Sequence, residues 1–380
     1  MSIPSNSFFE RKREWSRRKH DVLSGYLPQF TRILGQYHGR IYAVDGFAGR
    51  GYYGEDEERE SGSPLLFAEI AAKLENYQLR CINVEVVRKE FENLQIATAP
   101  YLSHIDNRFG SFDRNVESIL RDIGQSPTFF FLDPFGLKGL EWETMSKVGN
   151  RYKGFKTELL INFNAPKFDR DAGWLDSRYE RKRDSFLRRL DKVMGPSSNW
   201  RGIFDKDSSR EERYREIATP YKSGLENEFG FIASIFPIRT VEDGSLKYYL
   251  IHAARHPLGR RIIGHIFYGV HQQYLRARAI LLQQGGVQLG LDGIAVPKLS
   301  IEQMEEEDLK LLVQDVLGAL LERGPMHFGE LQDYLADKWV GRMVEKHYRS
   351  ACNQLRTRGV VSWSGTTLKE DTLLQPLPIR

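Results

Sequence analysis

Short apolar runs that stop abruptly, alternating with helical patterns, constrain this chain more than any other feature. The strand-like runs lie at 39–44, 80–85, 128–132 and 158–163, with a weaker one just before Gly110. Helical patterns at 65–75, 88–97, 113–123 and 141–148 separate them. Strands followed by helices at this spacing predict a parallel, doubly wound α/β sheet. The unbroken apolar character of Thr128-Phe129-Phe130-Phe131-Leu132 agrees, because such strands are covered on both faces.

The 380 residues are enough for one large or two ordinary domains. Before the sheet, residues 8–36 form a helical pattern with Trp15, Val22, Leu23, Tyr26, Leu27, Phe30, Ile33 and Leu34 on one stripe, and Pro28 as a candidate kink. Residues 1–38 are thus an N-terminal helical segment and 39–275 the α/β domain. Within it, 165–228 interrupts the alternation. This helical insertion is rich in Arg181, Arg183, Arg188 and Arg189, interleaved with Trp174, Tyr179, Phe186 and Trp200. It is either a basic, aromatic-lined wall for a polynucleotide or a charged cap. Two antiparallel strands, 229–238 and 246–253, follow, then a helix at 262–273. Residues 276–307 are expected to be a linker. Residues 308–380 give three helices and a hairpin (360–363, with Ser364-Gly365 as its turn), the winged-helix pattern. Its third helix carries Lys346, His347, Arg349, Gln354, Arg356 and Arg358.

A net charge of +4, from 55 basic and 51 acidic residues, permits nucleic-acid binding without arguing for it. The two cysteines, Cys81 and Cys352, support neither a disulfide framework nor a zinc site. No apolar run approaches the roughly 18 residues that span a bilayer, and the charged N-terminus does not resemble a signal peptide, so a cytoplasmic protein without a membrane partner is expected.

The strongest local signal is Asp45-Gly46-Phe47-Ala48-Gly49-Arg50-Gly51, directly after a strand. No Gly-Lys-Ser or Gly-Lys-Thr follows, which excludes a P-loop, and the spacing is not Gly-x-Gly-x-x-Gly. Glu85 ends the second strand, a position suited to accept hydrogen bonds from two ribose hydroxyls. Ser111 and Phe112, after the third, are candidates to flank a base. Asp133-Pro134-Phe135-Gly136 closes the most apolar strand: a carboxylate at a strand end accepts a hydrogen bond or proton from an amine, and Phe135 can stack on a planar base. The acidic loop at 55–58 is expected to be a solvated lid. The nine histidines show no metal-ligand spacing.

Together, Asp45 to Gly51, Glu85 and Asp133 to Gly136 resemble the SAM-dependent methyltransferases, especially those that modify exocyclic amines of nucleobases. Lys19-His20, Leu23, Tyr26-Leu27, Gly62-Ser63-Pro64, Tyr248-Tyr249-Leu250 and Arg255-His256-Pro257 add a resemblance to the three-Cys-motif partner protein (TcmP) family. The resemblance implies a Rossmann-like methyltransferase sheet and S-adenosyl-L-methionine (SAM) as cofactor. Asp45, Gly46, Phe47, Gly49 and Gly51 would line its methionine end, with Glu85 on its ribose and Ser111-Phe112 near its adenine. Lys19-His20 would reach its carboxylate. Asp133, Pro134 and Phe135 would hold the acceptor, although Gly136 stands where the nucleobase motif has an aromatic and Arg50 where the family favours proline. Nucleic acid and a three-cysteine protein are the implied partners. The alternatives are a catalytically silent module that binds nucleic acid or a partner, or a nucleic-acid-modifying enzyme that works with that protein.

Overall fold

The computed structural model describes residues 13–54, 59–74, 76–175, 179–284 and 300–378. The acidic loop at 55–58, Arg11-Lys12 of the N-terminal basic cluster and residues 285–299 of the expected linker lie outside them. The chain divides into two units, 1–240 with 244–260, and 261–380 with 241–243.

The first unit is built on a seven-stranded sheet: β1 (Ile41–Asp45), β2 (Leu79–Glu85), β3 (Ile105–Phe109), β4 (Thr128–Leu132), β5 (Thr157–Phe163), β6 (Ile232–Arg239) and β7 (Leu246–Ala254). Their spatial order is β3-β2-β1-β4-β5-β7-β6. The first five are parallel; β7 runs antiparallel to both β5 and β6. The sheet is therefore mostly parallel and α/β, as expected. The weaker third strand is an edge, where the polar residues of Ile105–Phe109 are tolerated.

The all-apolar strand β4 is buried throughout because alternate side chains meet different helices. Phe129 packs on Tyr26 and Phe30 of α1 (Glu14–Gly35), and Phe131 on Phe67 of α2 (Ser63–Lys73). Phe130 and Leu132 instead join the core with Phe112 and Val116 of α4 (Phe112–Ile123) and Trp142 and Met145 of α5 (Trp142–Gly149). Between these, α3 (Arg88–Thr98) connects β2 to β3. Pro28 lies inside α1, which continues through it as one helix. Ser63 is the first residue of α2 rather than its cap; Gly62 takes that position.

The insertion folds as α6 (Ala165–Ala172), α7 (Glu180–Met194), a short 3₁₀ turn (Trp200–Ile203) and α8 (Arg210–Phe229). Its aromatics are largely structural. Trp200 is buried against Phe168, and Trp174 stacks on Phe186 at 5.1 Å; Tyr179 alone of the four is well exposed.

The described residues of the expected linker are almost all helical. α9 runs from Pro257 to Gln284 and α10 from Ile301 to Arg323. Tyr274 to Leu282 contains no glycine or proline to stop α9, and Ser300 starts α10 with a reciprocal capping box to Gln303.

The second unit contains α10, β8 (Met326–His327), α11 (Phe328–Trp339), α12 (Glu345–Thr357), β9 (Val361–Ser362) and β10 (Leu373–Pro376). The strands form a small sheet in the order β8-β10-β9. Ser364-Gly365 is not a two-residue hairpin turn, because Val361 pairs with Pro376. This unit has its own core, with Leu312, Val316, Leu331, Trp339 and Leu355; Trp339 donates its indole N–H to Asp315 at 2.7 Å.

Candidate functional site

The chain leaves β1 outward to β2 and β3, then returns to β4 on β1's other side. Strand order reverses between β1 and β4, and in open α/β sheets the carboxyl ends of the strands at such a reversal form the ligand crevice. Asp45 ends β1 and Asp133 follows β4, so the two strongest sequence motifs meet where the topology places a ligand.

The glycine loop begins at Asp45, which is fully buried and accepts the Phe47 N–H on Oδ1 at 3.0 Å. Gly46 N–H donates to Phe131 O, Ala48 N–H to Val84 O, and Gly49 N–H to Glu85 Oε2 at 2.8 Å. Gly49 and Gly51 have φ of 64° and 90°, which side chains disfavour. A Cβ on Gly46 would come within 2.8 Å of Leu132 and 3.1 Å of Phe112. Arg50, the family departure, is ion-paired with Glu90 at 3.1 Å.

The consecutive N–H groups of residues 46–49 are thus all engaged within the fold. A phosphate-cradling loop needs such donors turned toward the ligand, and here carboxylates lie beneath the loop instead.

Glu85 at the end of β2 also accepts the Val87 N–H on Oε1 at 2.6 Å. Its position is as expected, but both oxygens hold the protein backbone. Since a carboxylate offers about four lone-pair sites, acceptor capacity for hydroxyls remains. Burial pushes its carboxyl above the usual range, against the Val87, Gly49 and Val86 N–H groups.

Phe112 is 1% exposed and packs under the loop against Phe47, so it cannot flank a ligand ring. Ser111, the N-cap of α4, is half-buried. Val86 and Phe109, missed in the sequence, are exposed apolar side chains at the carboxyl ends of β2 and β3, beside Glu85. The available signal was an aromatic closing an otherwise polar strand.

On the other side of the crevice, Asp133 accepts Asn162 Nδ2 on Oδ1 at 2.5 Å and Lys19 Nζ on Oδ2. Lys19 comes from α1 and is buried. Burial disfavours its ammonium, but Asp133, Tyr248 and Tyr53 outweigh this and hold it above the usual lysine range. Asn162 was legible only as a polar residue interrupting the apolar β5. Its Oδ1 is buried without a hydrogen-bond partner among the described residues.

Pro134 is buried, whereas Phe135 stands 53% exposed. Gly136 has φ of 97°, with open space where a Cβ would sit, so backbone conformation rather than crowding favours glycine over an aromatic there. Burial pushes the Asp45 carboxyl up to about 7; Ser63, the Phe47 N–H and Lys19 oppose it, and Asp133 adds to it. Asp45, Glu85 and Asp133 therefore set three carboxyl groups around the crevice, with Lys19 as the nearby buried countercharge. This suits ligands rich in hydroxyl groups or positive charge.

No family model and no curated protein matches the chain. Among solved structures it is similar to protein LPL1258 from Legionella pneumophila str. Philadelphia 1, at 10% identity over 68% of this chain and 91% of that one, TM-score 0.40. It is also similar to the O-methyltransferase from Bacillus cereus in complex with SAH, at 12% identity over 67% and 93% of the two chains, TM-score 0.32. A third similarity is to the methyltransferase domain of bacterial CtHen1, at 9% identity over 63% and 99%, TM-score 0.33. Identities and TM-scores this low transfer neither family nor activity. No helix among the described residues is long and apolar enough to cross a membrane.

Proposed function

We propose that this chain is a SAM-dependent methyltransferase acting on a nucleic acid, with a nucleobase amine as acceptor. The observation that carries this is the loop at the strand-order reversal, whose N–H groups turn inward to Asp45, Val84 and Glu85. It disfavours phosphate and leaves strand-end carboxylates for a nucleoside that bears hydroxyls and positive charge.

Gly46 leaves room for Leu132 and Phe112 beneath the loop, and Gly49 and Gly51 supply the left-handed backbone that the loop follows past the end of β1. Glu85 would hold a ribose through its remaining lone pairs, with Val86 and Phe109 beside it to cover a flat ring. Asn162 Oδ1 and Asp45 would face the charged end. When bound, SAM supplies a methyl group activated by a sulfonium centre.

Asp133 would orient the acceptor amine and receive its hydrogen bond, with Lys19 and Asn162 fixing the carboxylate in place. Phe135, exposed two residues further on, supports stacking of the base. Holding acceptor and donor in line would supply most of the acceleration. We further read the second unit as a winged helix, and we propose a three-cysteine protein as a partner.

Titration calorimetry with SAM and with S-adenosylhomocysteine tests the proposal. Wild type should bind both, and Glu85→Ala should weaken both. Absence of binding by a folded wild type would overturn it. Transfer of labelled methyl to DNA or RNA, abolished by Asp133→Ala, separates an enzyme from a silent binding module.

A further inference from the structure

The insertion's second helix, α7, divides sharply between its two sides. Leu190, Val193 and Met194 are buried in the first unit's core. On the solvent side Arg181, Ser185, Arg188 and Lys192 are all exposed, and spacings of four, three and four set them in one row. Arg189 stands exposed beside the row, its guanidinium 5.3 Å from the centre of the Phe186 ring.

The aspartates of this helix are committed elsewhere. Asp184 pairs with Arg183 at 3.3 Å, and Asp191 pairs with Arg201 at 2.7 Å while it also accepts the Trp200 indole N–H. Arg181, Arg188, Arg189 and Lys192 have no side-chain hydrogen bond or ion pair among the described residues. A helix face that serves only solvation tends to mix charge signs. The neighbouring α8 does so: Glu211 pairs with Arg239, and Glu216 with Lys206. The α7 row instead holds three cations, one serine and no Asp or Glu.

Its place in the fold gives this row a use. α7 packs on α5 and α6, the helices that follow β4 and β5. β4 runs into Asp133 and β5 carries Asn162, the two side chains that bond each other at the crevice. From Arg181 to Lys192 the row runs ~16 Å, at about 1.5 Å per residue. Phosphates along one strand follow each other every ~3.4 Å, so the row spans about five of them. A membrane surface is a poorer match, because the apolar side that would enter a bilayer is buried in the core.

We propose that the α7 row holds the phosphates of a single strand of nucleic acid, DNA or RNA, and so positions the substrate strand for the crevice. Phosphate contacts fix position and read no sequence. One row of cations tracks one strand, and an exocyclic amine is reachable when its base lies outside a duplex stack. The inference rests on the proposed function for the identity of the substrate. Its measurement uses no cofactor, so its failure is distinct from a failure to bind SAM.

The test is fluorescence anisotropy of the full chain with labelled strands of about 20 nucleotides, longer than a single strand-binding site, as single-stranded DNA, single-stranded RNA and the corresponding duplex DNA. The fourfold variant Arg181→Ala, Arg188→Ala, Arg189→Ala, Lys192→Ala should weaken both single strands at least about tenfold and the duplex far less. It should also flatten the dependence of log affinity on log salt by about three, roughly 0.7 for each phosphate contact. The variant Arg181→Lys, Arg188→Lys, Arg189→Lys keeps the charges and should keep the slope. Circular dichroism confirms that each variant is folded. Absence of single-strand binding by the folded wild type, an unchanged slope in the fourfold variant, or an equal loss on the duplex would each overturn the proposal.

Discussion

Lys19 and Asp133 lie far apart in sequence and form the buried ion pair at the centre of the crevice. Removing one partner from such a pair strands the other, which costs about 3–5 kcal/mol when both are fully buried. With the Asp133 side chain 20% exposed, Lys19→Met should destabilise by about 3 kcal/mol, the low end of that range. Adding Asp133→Asn, which removes the stranded charge and keeps an acceptor for Asn162 Nδ2, should recover most of the loss, and chemical denaturation of the single and double variants checks this. Asp45 makes a second prediction. Its folded carboxyl titrates near 7 against an ordinary 3.8, so between these values the folded state holds a proton that the unfolded state has released. Stability from this group is greatest in acid, falls as pH rises from about 4 to 7 and is flat above. Asp45→Asn removes that dependence, and its gain over wild type, up to about 4 kcal/mol at pH 8, should vanish toward pH 4 in paired denaturation curves. Asp45, Glu85 and Asp133 were legible because each follows an apolar strand. Their partners were not, since which side chain reaches across from α1 or β5 is set by packing rather than by local pattern.

At the scale of elements, strands were easier to place than helix ends. Continuous burial marks β4 and β5 residue by residue, whereas α9 and α10 run on into residues whose polar, glutamine-rich texture resembled a linker. Helix formers without a breaker outweigh texture, because propensity accumulates along the segment. Ala277 is exposed near the end of α9. Ala277→Pro should therefore cost about 3 kcal/mol through backbone effects alone, whereas a linker would tolerate it. Thermal unfolding followed by circular dichroism distinguishes the two. The small sheet of the second unit was misjudged for a different reason: β9 pairs across a long connection with β10, and no local turn chemistry announces that pairing.

The sheet as a whole exceeds what a single sequence can specify. Alternation predicted parallel strands, but the order β3-β2-β1-β4-β5-β7-β6 arises from long-range pairing, and its parallel β1–β4 pair brings Asp45 and Asp133 to one crevice. The inward-turned amides of residues 46–49 then bear on competition among metabolites. Adenine nucleotides share base and ribose with the proposed cofactor and differ in carrying phosphates. At this crevice a phosphate gains no backbone donor from those residues and meets carboxylates, so selectivity comes from rejecting charge as much as from recognising a nucleoside. Adenosine should displace bound S-adenosylhomocysteine at least about tenfold more effectively than ATP, a difference of about 1.4 kcal/mol, in a competition titration. Equal displacement would show that the loop does not discriminate. On the proposed function, unequal displacement would leave the site open to its cofactor when ATP is abundant.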